Sequence, residues 1–392
     1  MGLPLLAFQT CMRIAFVCPG LHHGGAETQL IALAKQFHAL GHTVRVNTLF
    51  SGTARVPALR EAGVEVFEYD KRSRLDLRLL ARMRRDLRAF APDVLQGILF
   101  DGNLYARLAG AGLGVPVVCA ERSSDYELRR SQRLAHRLTH RLTDAVIANS
   151  YAGAALARRM FPALGADRVH VVWNGIDAAG VARRTARASG LRAALGVDAD
   201  ARLLCFVGAV KPEKDVPLAL GTAALLFQRE GPPWHLVMVG AAYAKLGEYR
   251  IVEFDQSQAC ESEVAQMIAT FPSGRIHRLG VSDQVIETIA QCDVLLSTSR
   301  REGFPNVVLE AMAAGTPVVS TAYSDIERIL PMPWQVVGSR DPAALAGAVE
   351  RAYAQASTLA AAQRAWVESN AELERLADAT LQVYRGCLGR RR

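Results

Sequence analysis

Short, almost unbroken apolar runs alternate with helix-length segments along this chain, and that alternation confines it to parallel sheets covered by helices on both faces. The first set of runs is Arg13–Cys18, His42–Leu49, Val64–Phe67, Val94–Ile98, Val115–Ala120, Ala145–Asn149 and Val169–Val172. The second is Leu203–Val207, His235–Val239, Val294–Ser297 and Val318–Ser320, with the more polar Arg275–Leu279 as a further strand among them. Between them, AAGVARRTARASG (Ala178 to Gly190) is small, basic and without period, which marks a linker. The expected fold class is α/β, with two doubly wound parallel-sheet domains at residues 1–180 and 181–365. A helical tail, 366–392, follows and is able to cross back to the N-terminal domain. No repeated motif links the halves, so they share a plan without being tandem copies.

A length of 392 residues suits two ordinary domains, and an apolar half places the chain among globular proteins. No apolar run approaches the ~20 residues of a membrane span. MGLPLLAFQTCMRIAFVC lacks a basic leader and is interrupted by Arg13, so it reads as an extension feeding the first strand. The seven cysteines are scattered without metal-ligand spacing, which points to a reducing, cytoplasmic setting.

The net charge of +8 is concentrated. In residues 71–90, Arg74, Arg78, Arg82, Arg85 and Arg88 follow one helical stripe, opposite Leu75, Leu79, Met83, Leu87 and Phe90. Arg129 to Arg141 is similarly basic. The apolar stripe of 71–90 reads as the face that packs on a core, and the two basic stretches together as a surface for anionic phospholipid or a lipid-linked acceptor, peripheral at the inner face of the cell membrane. Nucleic acid is not expected, because no recognition motif or aromatic run accompanies the charge.

Glu302 and Glu310, with seven residues between them, stand in SRREGFPNVVLEAMAAGTPVVST. This run leaves a strand, turns through Gly303, Phe304 and Pro305, and enters a helix through Asn306 and Val307 that Gly315 closes. Free amides at such a turn suit a phosphate or sugar hydroxyl, and the two carboxylates can grip different parts of one long ligand. FVGAVKPEKD sets Lys211 and Lys214 beside Gly208 at another strand end, where two ammonium groups can neutralise a diphosphate. GLHHGGAE, Gly20 to Glu27, opens the first helix through Gly24 and Gly25 without the spacing of a dinucleotide fingerprint. His22 and His23 in that loop are fallback polar groups. Gly110, Gly112 and Gly114 precede a strand and read as a turn. Asp198 and Asp200 have the form of a metal-binding pair but precede the first strand of their domain, so they read as a solvated turn. Neither a metal nor another cofactor is expected. Glu121 and Arg122 end a strand of the first half and are the acceptor-side candidates, with a salt bridge or helix cap as the structural alternative. Ser150 ends another.

Taken together, Gly24–Glu27, Asn174-Gly175-Ile176-Asp177, Gly208–Lys214 and Glu302–Glu310 with the trailing EAMAAGTPVV resemble the retaining glycosyltransferases of family 4. The resemblance implies the GT-B fold, two Rossmann-like domains facing a central cleft, with acceptor on the first and nucleotide sugar on the second. It implies that Glu310 holds the ribose and that Glu302 contacts the transferred sugar, with amides from Gly303 to Asn306. Lys214 would bind the diphosphate, and Gly25 the donor phosphate. Two positions depart from the family. Ala209 stands where an arginine is usual, leaving Lys211 to supply that charge without the bidentate fork. Asp101 stands where many relatives carry a histidine; there it can position a sugar hydroxyl, steady positive charge at the anomeric carbon, or attack as a nucleophile, in that order.

The expected activity is metal-independent transfer, with retention, of a hexose or N-acetylhexosamine from a nucleotide diphosphate sugar, UDP ahead of GDP. The acceptor is a glycan or lipid-linked molecule in cell-surface polysaccharide or lipopolysaccharide synthesis. Glu302, Asp101 and Lys214 are the catalytic candidates. A nucleotide-sugar epimerase of the same fold, or an impaired nucleotide-sugar-binding relative, is the alternative.

Overall fold

The computed structural model describes residues 11–22, 24–73, 75–124, 128–242 and 252–391, without the side chains of 252–255 and 391. His23 and Arg74 lie outside the described residues. The chain forms two compact units. One runs to Gly175 and takes in the C-terminal segment from Leu373; the other is Ile176–Glu372.

In unit one the strands are β1 (Arg13–Cys18), β2 (Thr43–Thr48), β3 (Glu65–Glu68), β4 (Val94–Ile98), β5 (Val117–Glu121), β6 (Ala145–Ala148) and β7 (Val169–Val171). The helices are α1 (Gly25–Ala39), α2 (Val56–Arg60), α3 (Leu77–Phe90), α4 (Leu99–Gly110), α5 (Arg130–Thr139) and α6 (Tyr151–Met160). All strand pairs are parallel, in the order β3-β2-β1-β4-β5-β6-β7. The order reverses between β1 and β4, which opens a crevice at their carboxyl ends.

Strands such as RIAFVC are buried at every position but the first, because helices cover both faces. On one face Phe16 stacks on Phe37 of α1, which meets Tyr384. On the other, Leu79, Met83 and Leu87 of α3 pack with Val17, Leu95 and Tyr105.

Unit two has α7 (Ala178–Thr185), α8 (Leu191–Leu195), β8 (Arg202–Val207), α9 (Val216–Leu226), β9 (Trp234–Val239), α10 (Val252–Ile268) and β10 (Ile276–Gly280). It continues with α11 (Val285–Ala290), β11 (Val294–Ser297), α12 (Asn306–Ala314), β12 (Val318–Thr321), α13 (Ile326–Ile329), β13 (Val336–Val337), α14 (Pro342–Ala354) and α15 (Ala356–Asn370). Its parallel sheet runs β10-β9-β8-β11-β12-β13, reversing between β8 and β11. Trp234, Leu236, Val294 and Leu296 form its core with Leu220, Leu345 and Val349.

The expected linker is not one. Asp177 caps α7 by accepting from the Gly180 amide at 2.6 Å, and α7 packs on α11 and α12 inside unit two. Its single buried residue, Val181, left no apolar period to read. The division falls after Gly175 rather than at 180, and α15 spans the expected start of the tail. The chain re-enters unit one at α16 (Leu373–Arg391), whose Leu376, Leu381 and Tyr384 fill the core beside α1. The Tyr384 hydroxyl donates a short hydrogen bond to Gln96 Oε1.

Candidate active site

The switch point of unit two gathers most of the predicted donor-side residues. Lys211 and Lys214 follow β8, and Glu302 follows its neighbour β11. Lys214 Nζ stands 2.6 Å from Glu302 Oε1, and Ser299 Oγ donates to the same oxygen at 2.9 Å. Burial pushes the Glu302 carboxyl up; the charge and hydrogen bond of Lys214, the Ser299 bond and the charge of Lys211 outweigh it. The group is held below its ordinary value. Ionised at neutral pH, Glu302 accepts hydrogen bonds and has no proton to give.

Gly208 lets the lysine reach this place. A Cβ there would stand 3.0 Å from Lys214 Cε, so the stem lies over the bare backbone. Gly240, at φ +120°, touches from the other side, where a Cβ would fall 2.1 Å from the Gly208 carbonyl oxygen.

The two loops are tied together. Thr298 Oγ1 donates to the carbonyls of Lys214 and Asp215, at 2.8 and 3.0 Å. Arg340 Nη2 donates to Asp215 Oδ2 at 2.5 Å and to the Thr298 carbonyl at 2.6 Å. Arg300 joins Asp215 at 2.8 Å, and Arg301 joins Glu213 at 2.8 Å. Arg300 and Arg301 stand in the loop after β11 and Arg340 in the loop before α14.

Gly303, Phe304 and Pro305 are buried, and the Gly303 carbonyl accepts from Ser324 Oγ at 2.8 Å. Pro305 is the N-cap of α12, with no side-chain cap, and Asn306 and Val307 are its half-buried first residues. The positive end of the helix therefore faces the loop that carries Glu302. Glu310 is half-buried one turn on. The Arg184 guanidinium is held above its ordinary value, first by the Glu287 carboxylate at 2.6 Å, with Glu310 adding to it. Asp198 and Asp200 lie in the loop before β8, and no group of three or more metal-ligating side chains occurs among the described residues.

In unit one, Asp101 sits in the first turn of α4 at the β1/β4 crevice. The chain turns from β4 into α4 through Leu99 at φ +62°, a conformation few side chains adopt. The elbow is pressed against its neighbours. A Cβ on Gly102 would lie 2.4 Å from the Val17 carbonyl oxygen, and one on Gly97 2.5 Å from Asn103 Cα. Asn103 locks it laterally, donating to the Ala120 carbonyl at 3.0 Å and accepting from the Ala120 amide at 3.1 Å. Asp101 Oδ2 meets Lys71 Nζ at 2.6 Å; the lysine side chain is 5% exposed and lies near the Phe50 and Tyr105 rings. The aspartate is 34% exposed, so the pair shows solvent only its acidic end.

Other unit-one candidates have structural roles. Gly24 is the extended N-cap of α1 and Gly25 its exposed first residue, but a Cβ on Gly24 would meet Glu27 Oε2 at 2.2 Å. The Glu27 carboxylate thus already lies over that helix terminus, and burial pushes it up. Glu121 is buried and accepts from the Ser123 amide at 3.0 Å. Arg122 donates to Asn174 Oδ1 at 3.0 Å, and burial lowers its guanidinium to about 10. Ser150, just past the end of β6, is fully buried and caps α6 through the Gly153 amide at 2.9 Å.

Sequence reasoning missed Lys71, Ser299, Asp215 and Arg340. Lys71 stood at a strand's carboxyl end and could have been found there. Arg340 carries no local signal, since only the fold brings it to Asp215.

Two family models match the chain: Glycosyltransferase Family 4 over residues 23–179 and Glycosyl transferases group 1 over residues 190–372. A D-inositol 3-phosphate glycosyltransferase of Thermomonospora curvata is 27% identical over 337 residues, covering 77% of this chain and 76% of the relative. One from Mycolicibacterium gilvum is 30% identical over 161 residues, 41% of this chain and 33% of the relative. The chain spans about a third to a half of the length of the first curated relatives it matches. Among solved structures, Anabaena HepE in complex with UDP-glucose matches at TM-score 0.79 and 20% identity, over 96% of this chain and all of that one.

Proposed function

Because this chain belongs to the group 1 glycosyl transferases, with a family 4 N-terminal domain and the GT-B fold, we propose that it transfers a hexose or N-acetylhexosamine from a UDP-sugar to a hydroxyl of a glycan or lipid-linked acceptor. The observation that carries this reading is the Lys214–Glu302 pair at the unit-two switch point, beside the N-terminus of α12. An ammonium and a helix terminus together suit a diphosphate, and an ionised carboxylate beside them suits sugar hydroxyls. The UDP-glucose carried by the HepE structure supports UDP as the nucleotide.

In the proposed reaction the acceptor oxygen bonds to the anomeric carbon as the bond from that carbon to the diphosphate breaks. The acceptor proton passes to the departing phosphate oxygen on the same face, so configuration is retained. Lys214, Lys211 and the amides at the start of α12 stabilise the charge that develops on the leaving group. These fixed charges do the work a metal performs elsewhere, so transfer proceeds with chelator present. Glu302, unable to donate a proton, anchors sugar hydroxyls. Glu310 holds the ribose. Within unit one, Asp101, presented by a strained elbow and steadied by Lys71, is a carboxylate suited to a sugar hydroxyl.

Thermal-shift titration with UDP, GDP and ADP, all with chelator, tests the reading. A nucleotide at a hundredfold excess over its dissociation constant adds about 2.7 kcal/mol. The expected result is a shift with UDP that Glu310→Ala abolishes. No shift with any nucleotide overturns the site.

A further inference from the structure

The apolar stripe of the basic stretch 71–90 packs on the core as its pattern implied, and only Leu75 and Leu77 at its start stand out, 51% and 66% exposed. As α3 it turns Leu79, Met83, Leu87 and Phe90 into its own core. Three of its arginines make contacts, while Arg78 and Arg88 are exposed. Arg84 donates to the carbonyls of Leu108, Ala109 and Ala111, while Arg82 and Arg85 lie at 3.8 and 3.3 Å from Asp86.

The second stretch is the reverse. On α5 and the turn after it, Leu134, Leu138 and Leu142 are 58%, 72% and 38% exposed. Four residues apart, they make one outward stripe. Arg130, Arg133, Arg137 and Arg141 are exposed as well, on the neighbouring stripe. The buried residues of the helix, His136 and Thr139, face the other way. No acidic residue occurs from Arg129 to Thr143, and Asp144 turns inward to accept from the Val117 amide at 2.8 Å. On that buried face His136 Nε2 lies 2.7 Å from the Met160 carbonyl and ties α5 to α6.

We propose that α5 is a docking face for an anionic bilayer surface, its leucines entering the headgroup boundary and its arginines resting on lipid phosphates. Exposed leucines alone would suit a second protein. A row of arginines without any carboxylate is complementary to a sheet of negative charge, and the combination is that of a helix lying in the interface plane.

Vesicle co-sedimentation of the full chain tests this. Phosphatidylcholine vesicles are compared with vesicles of phosphatidylcholine and phosphatidylglycerol, at low and high salt. The expected result is binding to the anionic vesicles at least about tenfold stronger than to the neutral ones. Arg133→Glu with Arg137→Glu should remove that preference. Leu134→Ser with Leu138→Ser should weaken anionic binding about tenfold and make what remains fully salt-sensitive. Arg78→Glu on α3 should stay within about twofold of the parent. Since all these side chains are exposed, an unchanged melting temperature confirms folding. Parent-like binding by both α5 double variants overturns the proposal. So does an absence of binding to anionic vesicles, or a self-association lost in the leucine variant without any vesicle binding. None of these outcomes depends on glycosyl transfer, so docking and catalysis are judged separately.

Discussion

Lys214 and Glu302 meet at 2.6 Å although 87 residues lie between them, and they do so because β8 and β11, whose ends carry them, are neighbours at the sheet's reversal point. Their side chains are only 16% and 20% exposed, so each is the other's principal counter-charge. Lys214→Ala should lower transfer about 10²–10³-fold, with Glu302→Gln similar. The double variant should lose far less than the product of the two, the mark of residues acting as a unit. Steady-state kinetics of the four proteins checks this.

The same pair sets an acid limit on stability. The folded carboxyl lies below its ordinary value near 4.5, so its contribution is fully present above that pH and is lost as pH falls through the folded value. Melting curves from pH 7 down to 3 should show the parent's advantage over Glu302→Gln shrinking only below about pH 4.5. An advantage that fades nearer neutrality would contradict the depressed carboxyl.

Gly240→Ala forces a Cβ to 2.1 Å from a carbonyl oxygen at φ +120°. A destabilisation of about 2–4 kcal/mol is expected by chemical denaturation. Gly208→Ala meets the flexible Lys214 stem rather than backbone but at φ +159°, so it should cost both stability and UDP affinity, which a denaturant curve beside calorimetric titration measures.

Asp101→Ala leaves the Lys71 ammonium buried without its carboxylate and should destabilise by about 2–4 kcal/mol. Lys71→Met with Asp101→Leu removes both charges and should recover much of that stability while transfer stays low. UDP-induced stabilisation should survive in both, since neither residue belongs to unit two.

Arg340→Leu cuts the tie between Asp215 and the Thr298 carbonyl. Asp215 keeps Arg300, so the loss of stability should be modest, about 1–2 kcal/mol, with a larger loss of UDP affinity as the loops bearing Lys214 and Glu302 loosen. Calorimetric titration beside a denaturant curve measures both.

The sequence by itself determined the two parallel sheets, since a strand buried on both faces must be apolar along its length and Arg13–Cys18 or Val294–Ser297 can be nothing else. It also marked the EGFPNVVLE run, whose Gly-Pro turn and helix start are local events, with Gly315 at φ +84° ending the helix as its position implied. Burial of single side chains was not legible. The periodicity of α3 and α5 looks alike, yet α3 buries Leu79 and Leu87 in the core and α5 leaves Leu138 72% exposed. Nor was α7 legible, with one buried residue to announce it. The site's electrostatics belong to the tertiary structure alone. Lys71 finds Asp101, Arg340 finds Asp215 and Lys214 finds Glu302 only because a parallel sheet gathers the carboxyl ends of distant strands at one edge, where the low exposure of these groups makes each charge depend on its partner.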